Sequence, residues 1–118
     1  MIISSRIVKA ATMCVADKKD VRFYLRGFNV TKNHIEATDG KVLLRMKHDA
    51  KRVKEGIYII KGRIPAKCIN IKFKKDIVEF LCHVNTVIGV AVLEKVDGKY
   101  PNFDKVISEL LINPACCY

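Results

Sequence analysis

Asp20-Val21-Arg22-Phe23-Tyr24-Leu25-Arg26-Gly27 and Ala37-Thr38-Asp39-Gly40-Lys41-Val42-Leu43 decide how this chain is read, together with Val96-Asp97-Gly98-Lys99-Tyr100-Pro101-Asn102-Phe103-Asp104-Lys105-Val106. In the first, Val21, Phe23 and Leu25 alternate with Arg22, Tyr24 and Arg26, the period of a half-buried strand. In the second, Asp39-Gly40 marks a hairpin turn between strands at 34–38 and 42–46. In the third, Asp-Gly and Tyr-Pro mark turns, after which a short helical turn can follow.

The rest of the chain follows from these anchors. Ser4 or Ser5 can cap a helix running to about Ala16, with Ile7, Ala11 and Cys14 on one stripe and Arg6 and Lys9 on another face. Gly27 to Val30 extends the first strand, Lys32-Asn33 turns, and 47–55 reads as a basic surface loop. Ile57 to Ile60 is a strand. Pro65 suits the first turn of a second helix near 65–71. Ile77–Val84 and Val87–Glu94 pair around Asn85-Thr86, and 110–112 reads as a last strand or the start of a tail. Each half is a helix followed by a strand meander, a weak internal two-fold repeat. Few polar linkers intervene, so residues 1–118 are expected to form one α+β domain.

Composition narrows the function classes. Half of the 118 residues are hydrophobic and 29% are charged, which suits a folded globular chain. No apolar run reaches the roughly 18–20 residues that span a bilayer, and no signal peptide is visible, so a cytoplasmic location is expected. Twelve Lys and Arg lie between Lys41 and Lys75 against only Asp49 and Glu55, which accounts for the whole formal net charge of +10. A field so concentrated attracts polyanions, nucleic acid first among them; the plainer reading is a solvated basic face.

The five cysteines contain no Cys-x-x-Cys pair. Cys14, Cys68 and Cys82 read as small core hydrophobes, while Cys116-Cys117 is open to oxidation. His34, His48 and His83 lack ligand spacing, so no metal and no cofactor is expected. Asp39, Asp97 and Asp104 could be imagined as carboxylates of a nuclease. Turn formation already explains Asp39 and Asp97, no nucleophile–base pair is visible, and catalysis is not expected.

In this order and spacing, the three opening stretches resemble the bacterial DNA sliding clamp, the beta subunit of DNA polymerase III, and most of all the middle of its three similar domains. Ala11-Thr12 and Ile57 to Ile60 fall in register with that pattern, and Leu111-Ile112-Asn113-Pro114 looks like the connector to that family's third domain. The resemblance implies a DNA-clamp fold with two helices packed against two antiparallel sheets and a pseudo-two-fold repeat. It implies a non-enzymatic processivity or accessory factor in DNA replication. Arg6 and Lys9 on the first helix, and Arg63 and Lys67 around the second, would face DNA phosphates without regard to sequence. Lys19, Phe23 and Tyr24 would add contacts before and at the aromatic pair; Phe23 replaces the tyrosine common in the family.

The resemblance also implies a pocket for the short linear motifs of polymerases and other clamp-binding proteins, made by Leu25, Thr38, Gly40, Lys41, Val42, Leu43, Pro101 and Val106. Lys41-Val42 stands where the family often has His-Arg. With one domain per chain, a closed ring would need six identical subunits joined through sheet edges. The other reading left open is a peptide-binding clamp mimic, fitting a phage or other mobile element by its size, that engages replication proteins or a host clamp without encircling DNA.

Overall fold

Apolar residues on alternate positions build most of this protein. The computed structural model describes residues 1–17 and 19–101. Its elements are β1 (Ile2–Ser4), α1 (Ser5–Met13), a 3-10 turn (Phe23–Leu25), β2 (Phe28–Val30), β3 (His34–Thr38), β4 (Leu43–Lys47), β5 (Gly56–Lys61), β6 (Asn70–Phe73), β7 (Ile77–Leu81) and β8 (Val87–Val96). The strands form a single antiparallel sheet in the order β1-β6-β7-β8-β5-β2-β3-β4. α1 packs against β1 and β6 near one end of the sheet and against β3 near the other, so the sheet curls around the helix.

The inner face carries the core. Ile3, Val30, Ile35, Ala37, Ile71 and Val78 are fully buried there beside Val8 and Ala11 of α1. Phe28, Tyr58 and Phe73 meet at its centre with ring centroids 6.0 to 6.5 Å apart, from β2, β5 and β6. Each large side chain buried in this way contributes on the order of 2 kcal/mol of apolar transfer free energy.

This architecture corrects the expectation of two helices packed against two sheets. One continuous curled sheet and, among the described residues, one α-helix take their place. The helix expected near Pro65 is a single turn, in which Cys68 N–H donates to the Pro65 carbonyl. The reason is competition for the backbone. Ser5 N–H donates to the Ile69 carbonyl and Ser5 Oγ to the Cys68 carbonyl, while Ile69 N–H donates to Leu81. Those groups belong to the edge of the sheet, and β6 begins at Asn70, too soon for a second turn of helix.

The strand expected over 21–25 is also replaced. Asp20 Oδ1 accepts from Arg22 N–H, and Leu25 N–H donates to the Arg22 carbonyl, closing a 3-10 turn. Side-chain capture of the backbone by aspartate outcompetes the ladder at this point. The period-two argument that set Phe23 and Tyr24 on opposite faces therefore does not apply. At the start of the chain, Ile2–Ser4 contributes a strand that sequence reading did not anticipate, and α1 ends three residues before Ala16.

Other expectations hold. The β3–β4 hairpin turns at Asp39-Gly40, with Gly40 at φ +96° and Asp39 Oδ1 accepting from Lys41 and Val42 N–H. Asn85, at φ +60°, turns β7 into β8. The expected repeat of a helix and a meander in each half is not formed, although the strand pairing alone runs in parallel: β1·β6, β6·β7 and β7·β8 correspond to β5·β2, β2·β3 and β3·β4. The helix belongs to the first half; the second half has the 62–69 loop in its place. The parts of the third opening stretch from 102 to 106, the expected last strand or tail at 110–112, the expected connector at 111–114, and 116 and 117 lie outside the described residues.

Candidate nucleic-acid interface

Two segments far apart in the chain meet at the start of α1. The bonds from Ser5 to Cys68 and Ile69 clamp the 62–69 loop against the helix. Lys9 then lies close enough to Cys68 for its charge to favour the thiolate; burial, the larger effect, still pushes the thiol up. Lys67 is exposed beside it. Arg63, at the other end of the same loop, lines a groove of about 1140 Å³ together with Thr12, Val15 and Ala16 at and just after the end of the helix. The tether thus holds the Lys67 end of the loop against the helix that carries Lys9, while Arg63 shares the groove at the helix's other end.

Arg6 is exposed on the first turn of α1 and faces a smaller hollow with Ser4, Ile7 and Met46. It shares the outward ridge of the helix with Met13, seven positions on, and lies on the β4 side. Lys19 is exposed in a separate turn, where its N–H donates to Asp17 Oδ1. Tyr24 is half-buried in the 3-10 turn next to Phe23.

The groove also gathers cations that sequence reading missed. Arg26 reaches it from the segment before β2, Lys61 from the end of β5 and Lys95 from β8. Arg26 Nε donates to the Asp20 carbonyl at 2.8 Å, which fixes its guanidinium. Lys61 Nζ lies 3.0 Å from Glu94, an exposed pair that adds little stability. No periodicity in the sequence could have joined these three, because their proximity depends on the β2·β5 and β5·β8 registers.

The residues of the expected peptide pocket are divided. Leu25 and Thr38 are each 3% exposed and belong to the packed interior. Thr38 Oγ1 accepts from Gly40 N–H, so the hydroxyl serves its own turn. A side chain at Gly40 would meet the Arg22 guanidinium at 2.6 Å, so its open space is already used by Arg22. Lys41, Val42 and Leu43 are exposed, and Pro101 is half-buried. Val106 lies outside the described residues.

Among the described residues no group of three His, Cys, Asp or Glu side chains could hold a metal ion. No described helix is long and apolar enough to cross a membrane. A small antiparallel domain with a basic, groove-bearing helix side is the class of protein this geometry defines. No protein-family model matches the chain, and no curated protein or solved structure matches it either.

Proposed function

We propose that this protein is a non-enzymatic, cytoplasmic DNA-associated accessory factor of the clamp-like kind, holding the DNA backbone through the helix side of its sheet. Arg6 and Lys9 on α1, with Arg63 and Lys67 on the adjoining loop, supply the phosphate contacts. Lys19, Phe23 and Tyr24 extend the contact surface, with aromatic faces suited to stacking. Among the described residues β1 and β4 are the edge strands of the sheet, where copies could join along the DNA. The observation that supports this reading is the tether from Ser5 to Cys68 and Ile69, which brings the segment carrying Lys67 against the helix that carries Arg6 and Lys9.

Fluorescence anisotropy with labelled duplex and single-stranded DNA tests it. Phosphate contacts release counterions, so four of them give a slope of log affinity against log salt of about −3.6 on duplex. The variant Arg6→Glu/Lys9→Glu/Arg63→Glu/Lys67→Glu should lose binding while keeping its circular dichroism spectrum. Unchanged affinity and slope in that folded variant would sink the proposal.

A second reading, a peptide-binding modulator of replication proteins, is favoured by one observation: Val42 and Leu43 are exposed beside the Gly40 turn. Under it, Val42→Asp/Leu43→Asp would abolish binding of a clamp-motif peptide in calorimetry, and the four charge reversals would leave that binding intact.

A further inference from the structure

The connection from β4 to β5 carries a dense run of positive charge that no contact described so far uses. Lys47, Lys51, Arg52 and Lys54 stand there against Asp49 and Glu55, and Lys32 adds a fifth cation from the adjoining β2–β3 turn. All five are exposed. Arg22, Arg45, Lys61 and Lys74 each lie within 3.4 Å of a carboxylate. Among the described residues none of the five forms such a pair.

The connection is nonetheless fixed. His48 N–H donates to the Asn33 carbonyl. The ring of His48 is buried; its Nε2 lies 2.8 Å from the Thr31 carbonyl and its Nδ1 accepts from Ala50 N–H at 3.1 Å. Glu55 Oε1 accepts from Lys32 N–H, so this acid serves a backbone group, and the Tyr58 hydroxyl donates to the Lys54 carbonyl. Ala50 and Val53 pack against the core that α1 covers, as do Ile7 and Met46. Ile7 and Met46 share a hollow with Arg6, which sets the connection on the helix side of the sheet. Like charges held together without a carboxylate partner raise the local potential and attract an external anion. Because the backbone is already ordered, that anion binds without the entropy cost of arranging the loop.

The composition of this surface selects the partner. Protein interfaces are depleted in lysine and rest on buried aromatic or apolar anchors. The only apolar side chains between 48 and 55, Ala50 and Val53, are packed against the core. Phosphodiester backbones are held by lysine and arginine without such anchors.

We propose that the connection from β4 to β5 is a second nucleic-acid backbone site, with Lys51, Arg52 and Lys54 on the phosphates. It rests on the DNA-binding reading above and adds three contacts to the four on and beside α1.

The test is a salt series of duplex binding by anisotropy, on the full chain and on two variants of equal charge. Lys51→Gln/Arg52→Asn/Lys54→Gln removes three charges and none of the hydrogen bonds that fix the connection. Arg52 has φ +56°, a conformation that asparagine accepts readily. Lys72→Gln/Lys74→Gln/Lys75→Gln removes three charges around the β6–β7 turn. Both variants should keep their circular dichroism spectrum. The first should flatten the slope of log affinity against log salt by about 2.7 and weaken binding alike for all sequences. The second should leave the slope nearly unchanged. Equal losses in the two variants would trace the effect to overall charge and overturn the proposal. Unchanged affinity and slope in the first variant overturns it as well, while leaving the helix contacts standing; retention on polyglutamate lost in that same variant would assign the connection to an acidic protein. A loss in the first variant with the four helix-side reversals silent would support this site and sink the helix-side contacts alone. Absence of duplex binding by the unaltered chain overturns both.

Discussion

At the scale of single residues, backbone capture by side chains decides more than hydrophobic pattern does. Asp20 accepts from Arg22 through both its backbone N–H and its guanidinium, at 2.8 Å each. Those hydrogen bonds hold the Asp20 carboxyl down to about 2 from an ordinary 3.8. The folded turn therefore prefers the charged form. The stabilisation is complete above the ordinary carboxylate range and is lost as pH falls from about 4 towards 2. An NMR titration of the amides of 20–25 should show the turn loosening in that window, and Asp20→Asn should remove the acid step. Gly27 has a different constraint. A Cβ there would stand 2.6 Å from the Tyr58 backbone carbonyl, across the β2·β5 pair. Gly27→Ala should cost about 1–3 kcal/mol in urea unfolding, the range for overpacking a tight site. Neither position was legible as such. Asp20 stood in a polar break before an alternating run, and Gly27 read as the continuation of a strand; only the neighbours of each show what it does.

At the scale of elements, the hairpins were readable and the second helix was not. Asp39-Gly40 and Asn85-Thr86 name their turns through local chemistry, so β3–β4 and β7–β8 follow from nearby residues. The Pro65 signal is just as local, but Ser5, 63 positions from the Cys68 carbonyl it binds, overrides it. Ser5 Oγ takes the Cys68 carbonyl at 2.5 Å instead of capping its own helix, and no side-chain cap bond forms at Ser4. Ser5→Ala should cost about 1 kcal/mol, typical of a lost hydrogen bond. The effect should be concentrated in 62–69, read as faster amide hydrogen exchange there than in β3 and β4. If the tether organises the DNA contacts, the same variant should weaken DNA binding with little change in the salt slope, since no charge is removed.

At the scale of the whole molecule, the concentrated charge governs the proposed DNA contact, whose affinity should weaken with added salt through counterion release. An anisotropy salt series reads this directly. The basic excess between Lys41 and Lys75, most strand locations, the Asp-Gly turn and the first helix were all determined by the sequence itself. Each rests on composition or on residues within a few positions of one another. Tertiary structure alone decided that the strands join into one curled sheet, that the 62–69 segment forgoes a helix, and that Arg26, Lys61 and Lys95 line one groove with Arg63. Those outcomes depend on strand register and on backbone hydrogen bonds between segments dozens of residues apart, and a hydrogen-bonding group claimed by a distant partner is no longer available to its own neighbours.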